Sequence, residues 1–270
     1  MNFERHEVQQ YFERLMGCTD MMQWKSYKAS LKAYQLTSND VGLLNPLLER
    51  DATALYIKSL QTFSQALAGL KRGEFAWTLV KMYYSVFYAM RCEMSASSII
   101  TVMNGGILYA ENKQSATLHS IQGHGSHQAY INLRKTLPPS AIAHDVLLGN
   151  QIDAGEDVYT WMRENRERTN YQMKHFPDPD PDVVLNKVYT DYANLNKLTE
   201  AFKLYKTNSL YCFDIDHATL AVPYTKLCIC HGLLQGRVQP DATEQKQIAE
   251  SKRLLLAVGI ESALADELVI

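Results

Sequence analysis

Between Trp161 and Phe176 the chain reads Trp-Met-Arg163-Glu-Asn-Arg166-Glu-Arg168-Thr-Asn170-Tyr171-Gln-Met-Lys174-His175-Phe, which gathers three arginines, a lysine and a histidine within thirteen residues. An imidazole, whose proton affinity lies near neutrality, can pass protons to and from reacting oxygens. A planar guanidinium can hold the negative charge that builds on a phosphorus under attack. If this stretch is helical, Arg168 and His175, seven residues apart, stand two turns apart on nearly one face and can converge on one phosphate. Tyr171, three residues beyond Arg168, shares that face. The plainer reading is a solvated helix face on which Glu164 and Glu167 pair with the arginines.

Other chemistry-bearing residues form weaker patterns. His119, His124 and His127 lie close in sequence but lack the acids or thiols of a metal site. Cys228-Ile-Cys230-His231, with Cys212 and His217 upstream, does not have a usual zinc spacing, and strand alternation would turn Cys228 and Cys230 to one side as core. Gly105-Gly106 does not open a helix after a strand, and neither Gly-x-Ser-x-Gly nor His-Glu-x-x-His occurs. No metal and no cofactor are expected.

The elements that position these residues follow from periodicity. Leu55, Ile57, Leu60, Phe63, Leu67 and Leu70 recur at helical steps over 51–70, ended by Lys71-Arg72-Gly73. A second helix, from Glu74 through Leu79, Tyr83, Tyr84, Phe87, Met90 and Arg91 to about Ser95, is apolar around most of its circumference and is the expected central helix. Its aromatic residues read as core rather than as a base-stacking platform. Arg91 on that helix needs a partner, a carboxylate or a phosphate.

Asn104-Gly105-Gly106 between two apolar runs predicts a small β-hairpin over 98–110. A shorter helix runs from Ser126 or His127 to Leu137 and stops at Pro138-Pro139. Helices follow over 155–175 and, past Pro177-Asp-Pro-Asp-Pro181, from Val183 to Tyr205. Beyond Thr207, strands are expected at 210–215 and 227–230 and a helix at 241–257. At the other end, 2–16 reads as a short amphipathic helix carrying Phe3, Val8, Phe12, Leu15 and Met16, with turns at Ser38-Asn39-Asp40 and Asn45-Pro46. The expected division is an N-terminal extension (1–48), a helical domain (49–206) and a small α/β appendage (207–270).

Composition bounds the rest. With 46% hydrophobic and 21% charged residues, the 270-residue chain is an ordinary globular sequence rather than a disordered one. A net charge of -2 argues against indiscriminate nucleic-acid binding, so any such contact is a local patch. Five irregularly spaced cysteines do not form a secreted disulfide framework. The N-terminal residues do not read as a signal peptide, and no apolar stretch reaches bilayer length. A cytoplasmic address is expected.

Three blocks, in order, resemble the HEPN family. The first runs from Leu55-Tyr-Ile-Lys-Ser-Leu to Tyr83-Tyr84-Ser-Val-Phe87-Tyr88-Ala89-Met90-Arg91 and is similar to that family's opening helix pair. The second, Ser126-His127-Gln-Ala-Tyr130, resembles the start of its third helix. The third, Trp161 to Phe176, looks like its late helix, in which an arginine is followed by histidine or by aspartate or asparagine and tyrosine. Together they cover roughly 50–206.

The resemblance implies a mainly α fold: a HEPN-like helical bundle with an inserted β-hairpin and a small C-terminal appendage. It implies a metal-independent endoribonuclease, a prokaryotic toxin or defence effector, cutting RNA across a homodimer cleft. Arg168 and His175 would be catalytic, Asn170 would orient them, and Tyr171 would pack on or touch the phosphate. Arg163, Arg166, Arg91 and Lys174 would bind substrate, and an antitoxin or other regulatory protein would restrain the activity. Thr169, directly after the arginine, departs from the catalytic pattern, where a polar Asn, Asp or His is usual. Arg168-Thr-Asn170-Tyr171 is closer to a non-catalytic subgroup that binds a partner protein or nucleotide, in which His175 would be a bystander at a helix end.

Overall fold

The computed structural model describes residues 5–237 and 239–270. Its elements are α1 (Glu7–Leu15), α2 (Lys28–Ala33), α3 (Ser38–Arg72), α4 (Phe75–Ala96), β1 (Ile99–Met103), β2 (Ile107–Glu111), β3 (His119–Ser120) and α5 (Gly125–Thr136), followed by helices only. These are α6 (Val158–Glu167), α7 (Val183–Val188), α8 (Leu198–Thr207), α9 (Ala218–Leu234), α10 (Ala242–Ala257) and α11 (Ser262–Asp266). The mainly α class holds. The chain forms two compact units, one up to Ala54 together with Arg91–His144, the other Leu55–Met90 together with Asp145–Ile270.

In the first unit the expected hairpin is present, and a third strand extends it to an antiparallel sheet of order β1-β2-β3. Gly105 and Gly106 turn it at φ 61° and 148°, backbone that side-chain-bearing residues rarely adopt. One face of the sheet joins a core of Phe12, Trp24, Leu31, Leu44, Ile100 and Leu108. Val8 and Phe12 of α1 are buried as their spacing predicts; Phe3 lies outside the described residues.

The turn expected at Ser38-Asn39-Asp40 is instead a helix start. The Asp40 carboxylate accepts from the Thr37 amide at 2.7 Å while the Thr37 hydroxyl accepts from the Asp40 amide at 3.1 Å. This reciprocal cap launches α3. Asn45-Pro46 then falls inside the helix, where the proline removes one donor. Asn112 supplies others nearby, to the Val41 carbonyl at 3.2 Å and to Asn45 Oδ1 at 2.8 Å.

In the second unit α3 and α4 are joined by reciprocal hydroxyl-to-carbonyl bonds of Ser59 and Ser85 at 2.8 and 3.0 Å. In its core Phe202 stacks on Tyr224 and lies tilted against Phe63, with ring centroids 4.7 and 5.7 Å apart. Three expectations are corrected here. The strands at 210–215 and 227–230 are a 3-10 segment (Ser209–Phe213) and part of α9, so 207–270 contains no strand among its described residues. An apolar run cannot tell a buried strand from a helix buried all round, and α9 is the latter. Cys228 and Cys230 are therefore not on one side: Cys230 is buried and donates to the Ala89 carbonyl at 3.1 Å, while Cys228 is half-buried.

The helix expected from Val183 to Tyr205 breaks after a π turn (Tyr189–Ala193), where Asn196 takes φ 57°, a left-handed backbone that asparagine tolerates. The helix expected over 155–175 ends early, at the centre of the candidate site.

Candidate functional site

Asp157 starts α6 by accepting from the amides of Tyr159 and Thr160 at 3.1 and 3.0 Å. The α-helix ends at Glu167, and Arg168–Gln172 continue as one π turn closed by Met173 N to Arg168 O at 3.0 Å. Met173 is already extended. Thr169 is buried in this turn, its hydroxyl donating to the Asn165 carbonyl at 2.9 Å. A side chain that bonds back to the preceding turn competes with regular helix and favours such a bulge.

The consequence for the expected catalytic pair is direct. His175 lies past the end of the helix and is exposed, so seven residues no longer measure two helical turns from Arg168. Arg168 is already engaged: its Nη2 is 2.8 Å from Asp182 Oδ1 and 3.1 Å from Asn165 Oδ1. Asp182 is buried and is also the N-cap of α7, accepting from the Val184 amide at 3.3 Å. Arg168 thus ties the π turn to the start of α7.

The residue at the centre is Arg166. It is buried, its Nη2 donates to the Tyr84 hydroxyl at 3.0 Å, and its guanidinium lies 5.8, 5.5 and 5.5 Å from the ring centroids of Tyr83, Tyr84 and Tyr171. Its Nε has no hydrogen-bond partner among the described residues. Three aromatic faces, one phenol and the Glu167 carboxylate, 3.8 Å from Nη1, together compensate for burying this cation. Burial pushes the Tyr83 phenol well above its usual range, against the opposing pull of Arg166 and Arg163. Tyr171 is 74% exposed, so its ring caps Arg166 and faces solvent.

Around this centre, Arg163 lies near Glu164 and Glu167, at 3.2 and 3.8 Å, as the plainer reading of this helix face predicts. Asn170 is half-buried, and Lys174 is exposed. Arg91 belongs to the first unit, where its guanidinium lies 5.0 Å from the Tyr130 ring centroid.

The segment after the π turn is held by an acid that sequence reasoning did not single out. Asp178 accepts from the amides of Phe75 and Ala76, the first turn of α4. A carboxylate there meets unpaired amides and the positive end of the helix. The loop so anchored sets Phe176 beside Trp77, ring centroids 6.5 Å apart, both more than half exposed. No local signal points to Asp178, because the helix start it caps lies 103 residues earlier in the chain. Asp182 was findable, since an acid after a proline and just before a helix start is a capping residue.

Among the described residues no group of three His, Cys, Asp or Glu side chains could hold a metal ion. His217 bonds the Tyr205 hydroxyl through Nδ1 at 3.0 Å, and His231 Nε2 lies 3.2 Å from the Val269 carbonyl. No helix is long and apolar enough to cross a membrane among the described residues. Neither a family model, nor a curated protein, nor a solved structure matches the chain.

Proposed function

We propose that the region 49–206 is HEPN-like and that the chain acts as a non-catalytic interaction subunit, docking a partner protein on the face around Tyr171. The observation that carries this reading is the state of the expected catalytic pair. Arg168 is bound to Asp182, and His175 lies beyond the helix end. An arginine that holds a cap carboxylate has a structural task already, and the histidine has lost the helical register that would aim it at the same phosphate.

The composition of the face supports a protein partner. Trp77, Tyr171 and Phe176 are exposed, Trp77 lies beside Phe176, and the Arg166 guanidinium lies under the Tyr171 ring. Tryptophan, tyrosine and arginine are the residues most enriched among those that dominate protein–protein binding. The sequence Asn170-Tyr171, nearer the partner-binding subgroup of the resemblance than the catalytic one, agrees with it.

A second reading keeps the endoribonuclease: a toxin or defence effector acting on RNA as a homodimer, restrained by an antitoxin. The observation in its favour is the density of cations around an exposed imidazole, with Lys174 directly before His175 and three arginines upstream. Overproduction in bacteria separates the two. Growth unaffected by the folded protein is expected of an interaction subunit. Arrest of growth that both Arg168→Ala and His175→Ala relieve would replace it with the nuclease.

A further inference from the structure

The first unit carries a cleft of about 330 Å³ whose lining includes Tyr109, Glu111, Lys113, Ser115, His119 and Leu137. It lies apart in sequence from the residues of the face around Arg166 and Tyr171, and its size is at the lower end of small-molecule sites. The sheet makes one wall: Tyr109 of β2 and His119 of β3 face each other in register, ring centroids 6.1 Å apart. The end of α5 makes another, where Leu137 and Pro138 are apolar lining. The loop from β2 to β3 makes the rim.

That rim is held unusually firmly for an exposed loop. Ser115 donates its amide to the Leu36 carbonyl at 2.8 Å, and the Leu36 amide donates to the Ala116 carbonyl at 3.0 Å. Thr117 bridges to Gln35, and Ala116 bonds back to Lys113 at 3.1 Å. Between these bonds Ser115 adopts φ 64°, a left-handed backbone that is unfavourable for a residue with a side chain. Strain of this kind persists where surrounding contacts over-determine it, and it concentrates at ligand clamps.

The side chains state a preference. Lys113 Nζ is 3.0 Å from Glu111 Oε2, but the lysine is 64% exposed, and an exposed pair of this sort contributes little. An ammonium has three donors, so it can serve Glu111 and an incoming acid together. The Ser115 hydroxyl and the His119 imidazole are further polar groups of the lining. Tyr109, Leu137 and Pro138 offer flat and apolar surface in the same space.

We propose that this cleft binds a small molecule made of one flat ring and an acid group. The ring lies against Tyr109 and the Leu137-Pro138 wall, and the acid is held by Lys113 with His119 and Ser115.

The test is calorimetric titration of the full chain with AMP and benzoate, each a flat ring with an acid, and with adenosine and inorganic phosphate as the separate parts. At least one of the two acids should bind with a Kd of about 1 mM or tighter, and the parts about tenfold more weakly or worse. Binding of AMP alone assigns the phosphate and binding of benzoate alone the carboxylate. Lys113→Ala, an exposed change that spares the fold, should weaken binding by about fivefold or more. Leu137→Trp, which fills the space, should abolish it. The proposal is overturned if neither acid binds the wild type at about 10 mM. It is equally overturned if Lys113→Ala binds as the wild type does, or if inorganic phosphate binds as tightly as AMP.

Discussion

Arg166 and Tyr84 are joined across the second unit by a 3.0 Å hydrogen bond from guanidinium Nη2 to phenol oxygen, and Tyr171 covers the same guanidinium from the solvent side. The pair links α6 to α4, and it makes the candidate face a single packed object: moving either helix uncovers a buried cation. The first prediction follows from this. Tyr84→Phe keeps the ring and loses only the bond, so it should cost about 1.5–3 kcal/mol, the range for hydrogen bonds to charged groups. Arg166→Lys should not restore wild-type stability, because a compact ammonium cannot lie flat among three rings and reach the phenol. Urea unfolding of both variants measures this; a fully stable Arg166→Lys would contradict it.

Asp182 serves two partners, the Arg168 guanidinium and the first turn of α7. Asp182→Ala should therefore cost about 1–2 kcal/mol through the lost cap. Arg168→Ala, whose side chain is 40% exposed, should cost less than about 1 kcal/mol once solvent screening is allowed for. Unfolding midpoints of the two single variants and of the double variant give the coupling. Equal large losses in both singles would show that the cap is the lesser part.

The most demanding electrostatic element of the second unit is Lys226, fully buried with its Nζ 3.2 Å from Asp145 Oδ2 and 5.5 Å from the Tyr159 ring centroid. Tyr159 also donates its hydroxyl to the Asp145 carboxylate. Lys226→Met removes the cation beside a buried carboxylate and should destabilise by about 3–5 kcal/mol. Lys226→Met with Asp145→Asn should recover part of that loss, which thermal unfolding would read as a partial return of Tm.

Burial holds the His217 imidazole below its usual value, while the Asp214 carboxylate pulls the other way. The ring is packed against Tyr192 and Tyr211, centroids 5.9 and 4.9 Å away, and bonded to the Tyr205 hydroxyl. Because the folded state disfavours the charged form, stability is complete above the unfolded value of about 6.5 and is lost as pH falls through the lower folded value. Denaturant midpoints taken on either side of that value should fall toward acid. His217→Asn should be less stable at neutral pH and show a flatter dependence. An unchanged slope in the variant would assign the pH effect elsewhere.

Legibility in the sequence followed the kind of signal. The α4 helix, the Asn104-Gly105-Gly106 turn and the Asp241-initiated α10 were readable because periodicity and turn chemistry are local. Asp241, not singled out in the sequence, closes a capping box with Glu244. The strand expected at 210–215 is a 3-10 segment, and the one expected at 227–230 failed because α9 is apolar all round and even carries Pro223, so neither period nor breaker identified it. The candidate site was legible as a segment but not as a geometry. The family resemblance made Arg168 and His175 partners and helical spacing put them on one face, whereas the buried Thr169 and the π turn changed the register between them. Arg166, placed among the substrate-binding residues by its type, is the buried centre because Tyr83, Tyr84 and Tyr171 converge on it, a relation of three distant positions that spacing alone does not encode.

In the proposed function Arg168 and His175 do not form a catalytic pair. The direct measurement is incubation of a mixed tRNA and messenger RNA pool in EDTA with the wild type, Arg168→Ala and His175→Ala, each verified as folded. Intact RNA is expected in all three. Cleavage by the wild type that leaves 2′,3′-cyclic phosphate ends and disappears in both variants would contradict it and establish the metal-independent nuclease.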